Sequence, residues 1–290
     1  MATTVVEPRQ NTPSPPSRRR RRSGALFHVV MIPLTLLYVS PMIFVALLSI
    51  RSFDDVAGRG LSAWPASFTF DAYAQAWTSG TSRALLNSAV VTVAAVLIAL
   101  VLASMAAFAL SRHRIPFRRV ILLVMLAGNL LPPQILLIPV AKITETVGIY
   151  DTLTALVIVQ VGFGLGFYTF VLHGFMRAIP AEVFEAALID GARPMRTYVS
   201  IVLPLCRPAL AALAALAFTW IFNDVIWAMT VLRTESKFPI TAALINLQGG
   251  FSNKWNITAA GSLIGAIPCA AVFFAFQKHF VSGLMVGTNK

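Results

Sequence analysis

Charge is what this chain has least of. Only 12% of its 290 residues are charged, and just eleven of those are acids. A soluble domain carries about a quarter of its residues as Asp, Glu, Lys or Arg, so a surface wetted on all sides is excluded. Cysteine is nearly absent. Cys206 and Cys269 lack metal-ligand spacing, and four histidines in the whole chain supply no His-Cys cluster, which leaves both thiols as small apolar fillers. Also missing are a Gly-Lys-Ser/Thr phosphate loop, a nucleophile–base pair and any metal-binding motif. The chain therefore does not hydrolyse ATP by itself, and solute movement uphill would draw on another polypeptide or an ion gradient.

What is present is apolar. Hydrophobic residues make up 57% and mean hydropathy is +0.77, which points to an all-α, polytopic membrane protein. Six stretches are long enough to span about 30 Å of hydrocarbon at 1.5 Å per helical residue: Phe27 to Ile50, Leu85 to Leu110, Val120 to Ala141, Thr152 to Phe175, Ala209 to Leu232 and Thr258 to Phe280. Pro132, Pro133, Pro139 and Pro268 fall inside two of them and predict kinks. Gly162, Gly164 and Gly166 follow no strand, so they predict close helix packing and not a dinucleotide turn.

Residues 1–26 read as a disordered basic tail, since the prolines, serines and the run Arg18 to Arg22 bury too little to fold. The net charge of +12 would suggest nucleic acid for a soluble chain. Here the basic residues cluster between apolar spans, and membrane lipid is the plainer partner. The tail, the second-to-third connection (Arg112, Arg114, Arg118, Arg119), the fourth-to-fifth connection (Arg177, Arg193, Arg196, Arg207) and the C-terminus (Lys278, Lys290) hold sixteen Lys and Arg, against seven in the alternate connections. The positive-inside rule then puts both termini and the fourth-to-fifth connection in the cytoplasm.

That connection, residues 177–205, has helix grammar of its own. Pro180 opens a helix, Glu182 and Glu185 favour its N-terminal dipole, and Gly191 ends it. Val183, Phe184, Ala187 and Leu188 share a face suited to docking in a groove. The order Glu185-Ala186-Ala187, Gly191, Ile201, Leu203-Pro204 resembles the EAA loop of membrane subunits of binding-protein-dependent ABC importers. The resemblance implies that this loop, with Glu182, Phe184 and Asp190, is a coupling helix held by a cytosolic ATP-binding subunit.

The likeness extends from about Phe68 to Leu284. Asn87-Ser88, Leu131-Pro132-Pro133-Gln134, Asp190-Gly191-Ala192 and Trp220-Ile221-Phe222-Asn223-Asp224 resemble the carbohydrate branch, and more narrowly the six-helix second permease of maltose-type importers. What this implies is a second permease subunit, two ATP-binding subunits that carry ATP and Mg, and an extracytoplasmic solute-binding protein, all at a bacterial cytoplasmic membrane. No cofactor belongs to this chain. Val286 to Lys290 depart from the family's basic, glycine-rich finish. Asn246, Gln248, Gly249, Gly250 and Phe251 occupy the place of a loop that reaches into the binding protein.

Asp224 is the one acid well inside an apolar stretch, where a charge costs about 2.5 to 3.5 kcal/mol on insertion scales. With Asn223, Trp220 and Trp227 it offers hydrogen-bonding groups and flat faces, as sugars require. Asn129, Gln134 and Gln160 share this reading. Two readings stay open for all of them, a substrate pathway or interhelical bonds. Two rivals stand against the importer: an ion-coupled secondary transporter with Asp224 as its ion site, and a membrane-bound regulator acting through the arginine run.

Overall fold

The computed structural model describes residues 18–248 and 254–285, which are helical with no strand among them. The chain divides into two units, Met1–Leu47 and Leu48–Lys290. The first holds nearly all of α1 (Arg18–Ser49). This helix begins at Arg18, ahead of the expected start at Phe27, because arginine is a good helix former and the backbone runs on into the apolar stretch. Residues 1–17 of the expected tail lie outside the described residues. Pro41 deprives the Leu37 carbonyl of its helical donor, and Ser40 Oγ donates to that oxygen at 2.8 Å, as lipid-embedded backbone requires.

The second unit opens with α2 (Phe53–Arg59), capped by Ser52, whose side chain accepts from Asp55 N. Arg51, 1% exposed, donates through Nε to Asp55 Oδ2 at 2.6 Å and through Nη1 to Leu61 O at 3.0 Å. Asn256 Nδ2 donates to the Arg51 carbonyl. This buried guanidinium holds the Asp55 carboxyl below the usual carboxylate range. Next comes α3 (Asp71–Ala76), whose Ala72 and Ala76 pack with Ile257 and Ala260, so the aromatic segment from Phe68 is anchored by packing. A kink at Gly80 (φ +103), within Trp77–Thr81, leads into α4 (Ser82–Arg112).

Then follow α5 (Arg118–Ala127), α6 (Pro133–Thr146), α7 (Leu153–Arg177), α8 (Ala181–Ile189), α9 (Pro194–Thr197) and α10 (Leu203–Leu205). The remainder is α11 (Arg207–Phe222), α12 (Ile226–Val231), α13 (Ile240–Gln248) and α14 (Trp255–Met285). The core forms where α4 lies along α7, the most extensively packed pair. The cause is legible in α4: Ala95, Ala99, Ala103 and Ala107 recur every fourth residue and are all 0% exposed. Small residues at that spacing form a smooth stripe that lets a neighbouring helix come close. Leu156, Tyr168, Leu172 and Met176 of α7 and Leu213 and Ala217 of α11 fill the same cluster.

Among the described residues, four helical segments are long and apolar enough to cross a membrane: Phe27–Ser49, Asp71–Arg112, Leu153–Arg177 and Trp255–Gln277. Pro194–Leu205 and Arg207–Phe222 make a fifth if the 74° bend between them is counted within one span. The expected third and fifth spans are each broken. Pro132 and Pro133 end the third as one helix, with Pro133 opening α6 where no amide donor is needed. The fifth breaks at Asn223 and Asp224, between α11 and α12. Pro139 and Pro268 lie inside α6 and α14 without ending them.

At the opposite end of α7 from α8, Asp151 takes a left-handed backbone (φ 57). Its carboxylate accepts from Arg233 N, Thr234 N and Thr234 Oγ1 at 2.9, 3.0 and 2.6 Å, and Lys237 Nζ lies 2.8 Å away. The Lys237 ammonium, then the Thr234 and Arg233 donors, hold this carboxyl well below its ordinary value. A depressed carboxyl contributes stability that is fully present above its unfolded value of about 3.9 and is lost as pH falls through the lower native value. Hydrogen exchange across residues 231–237 should therefore be flat from about pH 8 down to about pH 5 once intrinsic exchange is divided out. An Asp151→Ala variant should show faster exchange at every pH, and a wild-type transition near neutrality would refute the assignment.

Candidate functional site

The loop helix α8 is built at both ends by backbone rules. Pro180 sits just ahead of it, as N-cap with φ −54 and ψ 145, a position where its missing amide costs nothing. At the far end Gly191 N–H donates to Leu188 O at 3.0 Å and Ala192 N–H to Ala187 O at 2.9 Å. This paired closure is a Schellman motif, and it places Gly191 at φ +69. Sequence reasoning anticipated that turn.

The faces of α8 differ from expectation. Val183 and Phe184 are half-buried and Ala187 is buried, turned toward the rest of the unit. Leu188 and Ile189 are 74% and 85% exposed, beside exposed Glu182, Glu185, Ala186 and Asp190. Leu188 thus leaves the shared face, because Val183, Phe184 and Ala187 already cover the inward arc. Downstream, a π-helical turn over Tyr198–Val202 carries half-buried Ile201, and Leu203 and Pro204 form the turn that bends into α11. Tyr198 is 2.7 Å from Ser104 Oγ.

The second group of predicted residues lies at two helix breaks flanking α7. At the first, α11 stops at Phe222 and Asp224 turns its carboxylate onto the start of α12, accepting from Trp227 N at 3.1 Å and Ala228 N at 3.2 Å. Asp and Asn compete with the helix for backbone donors in this way, which is why they favour caps over interiors. Asp224 is therefore the cap of a second short helix and not a residue inside a continuous span. Its freed carbonyl accepts from Thr241 Oγ1 at 2.8 Å, and Asn223 Nδ2 donates to Thr219 O at 2.8 Å.

Trp220 is 52% exposed, with its ring 5.3 Å from that of Phe167. Trp227 is 6% exposed and stacks on Phe163 at 4.4 Å, so it is a core residue and presents no open face. At the second break, between α5 and α6, exposed Asn129 borders a cavity of about 340 Å³ with Met125, Leu136, Gly162 and Phe163. Gln134 stands exposed on the first turn of α6.

Sequence reasoning named Gln160 but missed the aromatic residues that continue its face of α7 between these breaks. Gln160, Phe163 and Phe167 repeat at helical spacing. Gln160 is buried, with no hydrogen-bond partner for its Nε2 among the described residues, Phe163 touches Trp227 and lines the Asn129 cavity, and Phe167 meets Trp220. Their aromatic i, i+4 pair was the available signal. Asn87 and Ser88 serve to tie α4 to the segment ahead of α13. Asn87 Nδ2 donates to Ser236 O and Phe238 O, and Ser88 Oγ accepts from Ile240 N at 2.8 Å. Nearby, Asn246 borders a cavity of about 300 Å³ with Thr81, Arg83, Glu235 and Phe238. Gln248 ends α13, while Gly249, Gly250 and Phe251 of the proposed outer loop, and Val286 to Lys290, lie outside the described residues.

Comparison with known proteins agrees with this architecture. The chain is 30% identical over 271 residues to the diacetylchitobiose uptake system permease protein NgcG of Streptomyces coelicolor, covering 92% of this chain and 89% of that protein. It is 29% identical over 275 residues to the trehalose transport system permease protein SugB of Mycobacterium tuberculosis, covering 94% and 98%. Among solved structures, a bacterial ABC transporter involved in the import of the acidic polysaccharide alginate contains a chain that superposes with a TM-score of 0.77 at 26% identity, covering 93% of this chain and 100% of that one. With the family profile matching residues 95–286, the chain belongs to the family of inner membrane components of binding-protein-dependent transport systems.

Proposed function

We propose that this permease carries a carbohydrate or related polyol across the cytoplasmic membrane, driven by ATP hydrolysis on partner subunits. The observation that carries the reading is α8: a short helix closed by its own caps, with Leu188 and Ile189 turned outward beside Glu182 and Glu185. Two large aliphatic side chains so exposed on a charged loop suit a partner's groove. The occupant is a cytosolic ATP-binding subunit. The full assembly holds two of these with Mg-bound ATP, a second permease with its own loop, and an extracytoplasmic solute-binding protein at the opposite face. ATP-driven closure draws the two loops together and opens the pathway outward, and hydrolysis returns it inward. Both termini are cytoplasmic, and the chain crosses the membrane six times, with α5 and α6 together as one crossing and α11 and α12 together as another.

Relatives named for diacetylchitobiose and trehalose uptake support a sugar as cargo. So does the pairing of exposed Trp220 with exposed Asn223, an aromatic face beside an amide. The pathway runs along the Phe163 and Phe167 face of α7, past Trp220, Asn223 and Asp224 at one break and Asn129 and Gln134 at the other.

The ion-coupled alternative is separated by the Asp224 cap. Asparagine keeps an oxygen to accept from Trp227 N and Ala228 N, whereas alanine loses the cap at a cost of about 1 kcal/mol. Asp224→Asn should retain at least half of wild-type uptake and Asp224→Ala clearly less. In both, uptake should persist when the proton gradient is dissipated with ATP held constant, and its collapse would favour the ion-coupled reading. In the same cells, a cysteine placed at Ala192 should react with an impermeant reagent only after permeabilisation.

A further inference from the structure

One stripe of α4 is not explained by helix packing alone. Ser104, Phe108 and Arg112 recur at four-residue spacing, so they lie one above another on a single face at the end of the helix nearest α8. Each touches the loop between α7 and α11 or the segment leading into it. Ser104 Oγ and Tyr198 OH are 2.7 Å apart, and the Phe108 ring is 5.2 Å from that of Tyr198. Arg112 does most. Its Nη2 donates to Met176 O and, at 3.0 Å, to Ile179 O. Its guanidinium carbon lies 3.5 Å from the centre of the Phe184 ring.

Three physical effects meet in that one side chain. A cation at the C-terminal end of α7 offsets the negative end of its dipole and satisfies carbonyls the helix leaves open. The planar guanidinium donates in its plane while its face covers an aromatic ring, which an ammonium cannot do in the same way. The half-buried Phe184 ring so covered belongs to α8, which makes Arg112 the joint between α4, the end of α7 and the loop helix. Arg112 Nε is buried and makes no hydrogen bond. The side chain is placed by its Nη2 and ring contacts, with the buried Nε donor left over.

We propose that Arg112 is the positioning residue that fixes α8 to the α4–α7 pair, so that displacement of the loop by its partner moves these helices instead of only the loop. The proposal rests on the reading of α8 as the site where an ATP-binding subunit docks. Because α4 also holds residues 236–240 at its other end through Asn87 and Ser88, a loop fastened to it moves with a helix that reaches the opposite side of the membrane.

The test uses the fully assembled transporter in vesicles, with Arg112→Met, Arg112→Lys and Phe184→Leu. Arg112→Met should leave binding-protein-stimulated ATP hydrolysis within about twofold of wild type and lower uptake at least tenfold, raising the ATP spent per solute. A merely structural loss would lower both in step with the amount of permease. Peptide-resolved hydrogen exchange should rise at least tenfold over residues 181–190 and stay unchanged in the middle of α7. Arg112→Lys keeps the charge and one carbonyl bond and should recover part of the uptake, while Phe184→Leu should reproduce the faster exchange without disturbing insertion. Unchanged exchange over 181–190 in Phe184→Leu and in whichever Arg112 variant assembles overturns the joint. Faster exchange with unaltered uptake overturns instead the docking reading beneath it, and the proposal falls with that reading.

Discussion

Replacing Gly191 with valine is expected to abolish uptake while leaving the amount of permease in the membrane unchanged. The residue sits at φ +69, and a Cβ built there meets nothing within 4 Å, so space is not the obstacle. The obstacle is local: an L-residue in the left-handed region brings its Cβ against its own carbonyl, at about 1 to 2 kcal/mol, and β-branching adds to that. Loss of the Schellman closure would free the Leu188 and Ala187 carbonyls and swing Leu188 and Ile189 away from their present direction. The expected order of uptake is therefore Gly, then Asn, then Ala, then Val, because asparagine tolerates the left-handed region best among the substitutes. Glu185→Lys, which reverses an exposed charge on the same helix, should also abolish uptake and weaken co-purification of the ATPase. Uptake in the valine variant equal to wild type, with full stimulated ATP hydrolysis, would remove α8 from the mechanism.

Gly166→Ala is expected to act at the opposite level, by removing the folded protein. A Cβ at this position would overlap the Met125 carbonyl oxygen and come within 2.9 Å of Asn129 Nδ2. Backbone cannot move aside as a flexible side chain can. Overpacking of this kind costs about 1 to 3 kcal/mol and sometimes more, and here it would prise the end of α5 from α7. Detergent-solubilised Gly166→Ala should lose thermal stability strongly, with less protein reaching the membrane. Gly162→Ala is the matched control, since a Cβ there meets nothing within 4 Å, and it should behave as wild type. Equal stability of the two variants would mean that α5 does not rest on α7 as described.

This contrast shows where the sequence could be read and where it could not. Gly162, Gly164 and Gly166 look alike as an apolar glycine repeat. Only Gly166 makes the close helix contact expected of all three, Gly164 faces Tyr168 of its own helix, and Gly162 borders a cavity. A repeat records small residues but not which neighbour each one meets. The loop helix was legible because its signals are local: Pro180 and Gly191 act through their own backbone angles. The split of its apolar residues into an inward Phe184 and an outward Leu188 was not, because it depends on Arg112, distant in sequence.

The broken spans failed to register for a related reason. Hydropathy summed over a window passes smoothly across Asn223 and Asp224, although both residues prefer caps to interiors. Prolines 132 and 133 were read as a kink where the chain, having left α5 at Ala127, starts a separate helix at Pro133. Asp151 and Lys237, partners at 2.8 Å, are separated in sequence by all of α7 to α12, and no local pattern announces such a pairing.

The bend at Asp224 has a bearing on how such a protein can vary. Its exposed polar backbone is satisfied from within, by its own carboxylate on α12 and by Thr241 on its carbonyl. The exposed neighbours Trp220 and Asn223 take no part in that closure: one rests on Phe167, and the other bonds back to Thr219 in its own helix and across to Cys269 Sγ of α14 at 3.5 Å. The groups that close the bend and the exposed Trp220 ring are thus different side chains. On the proposed pathway, substitutions at Trp220 would alter the exposed face while leaving the Asp224 closure in place.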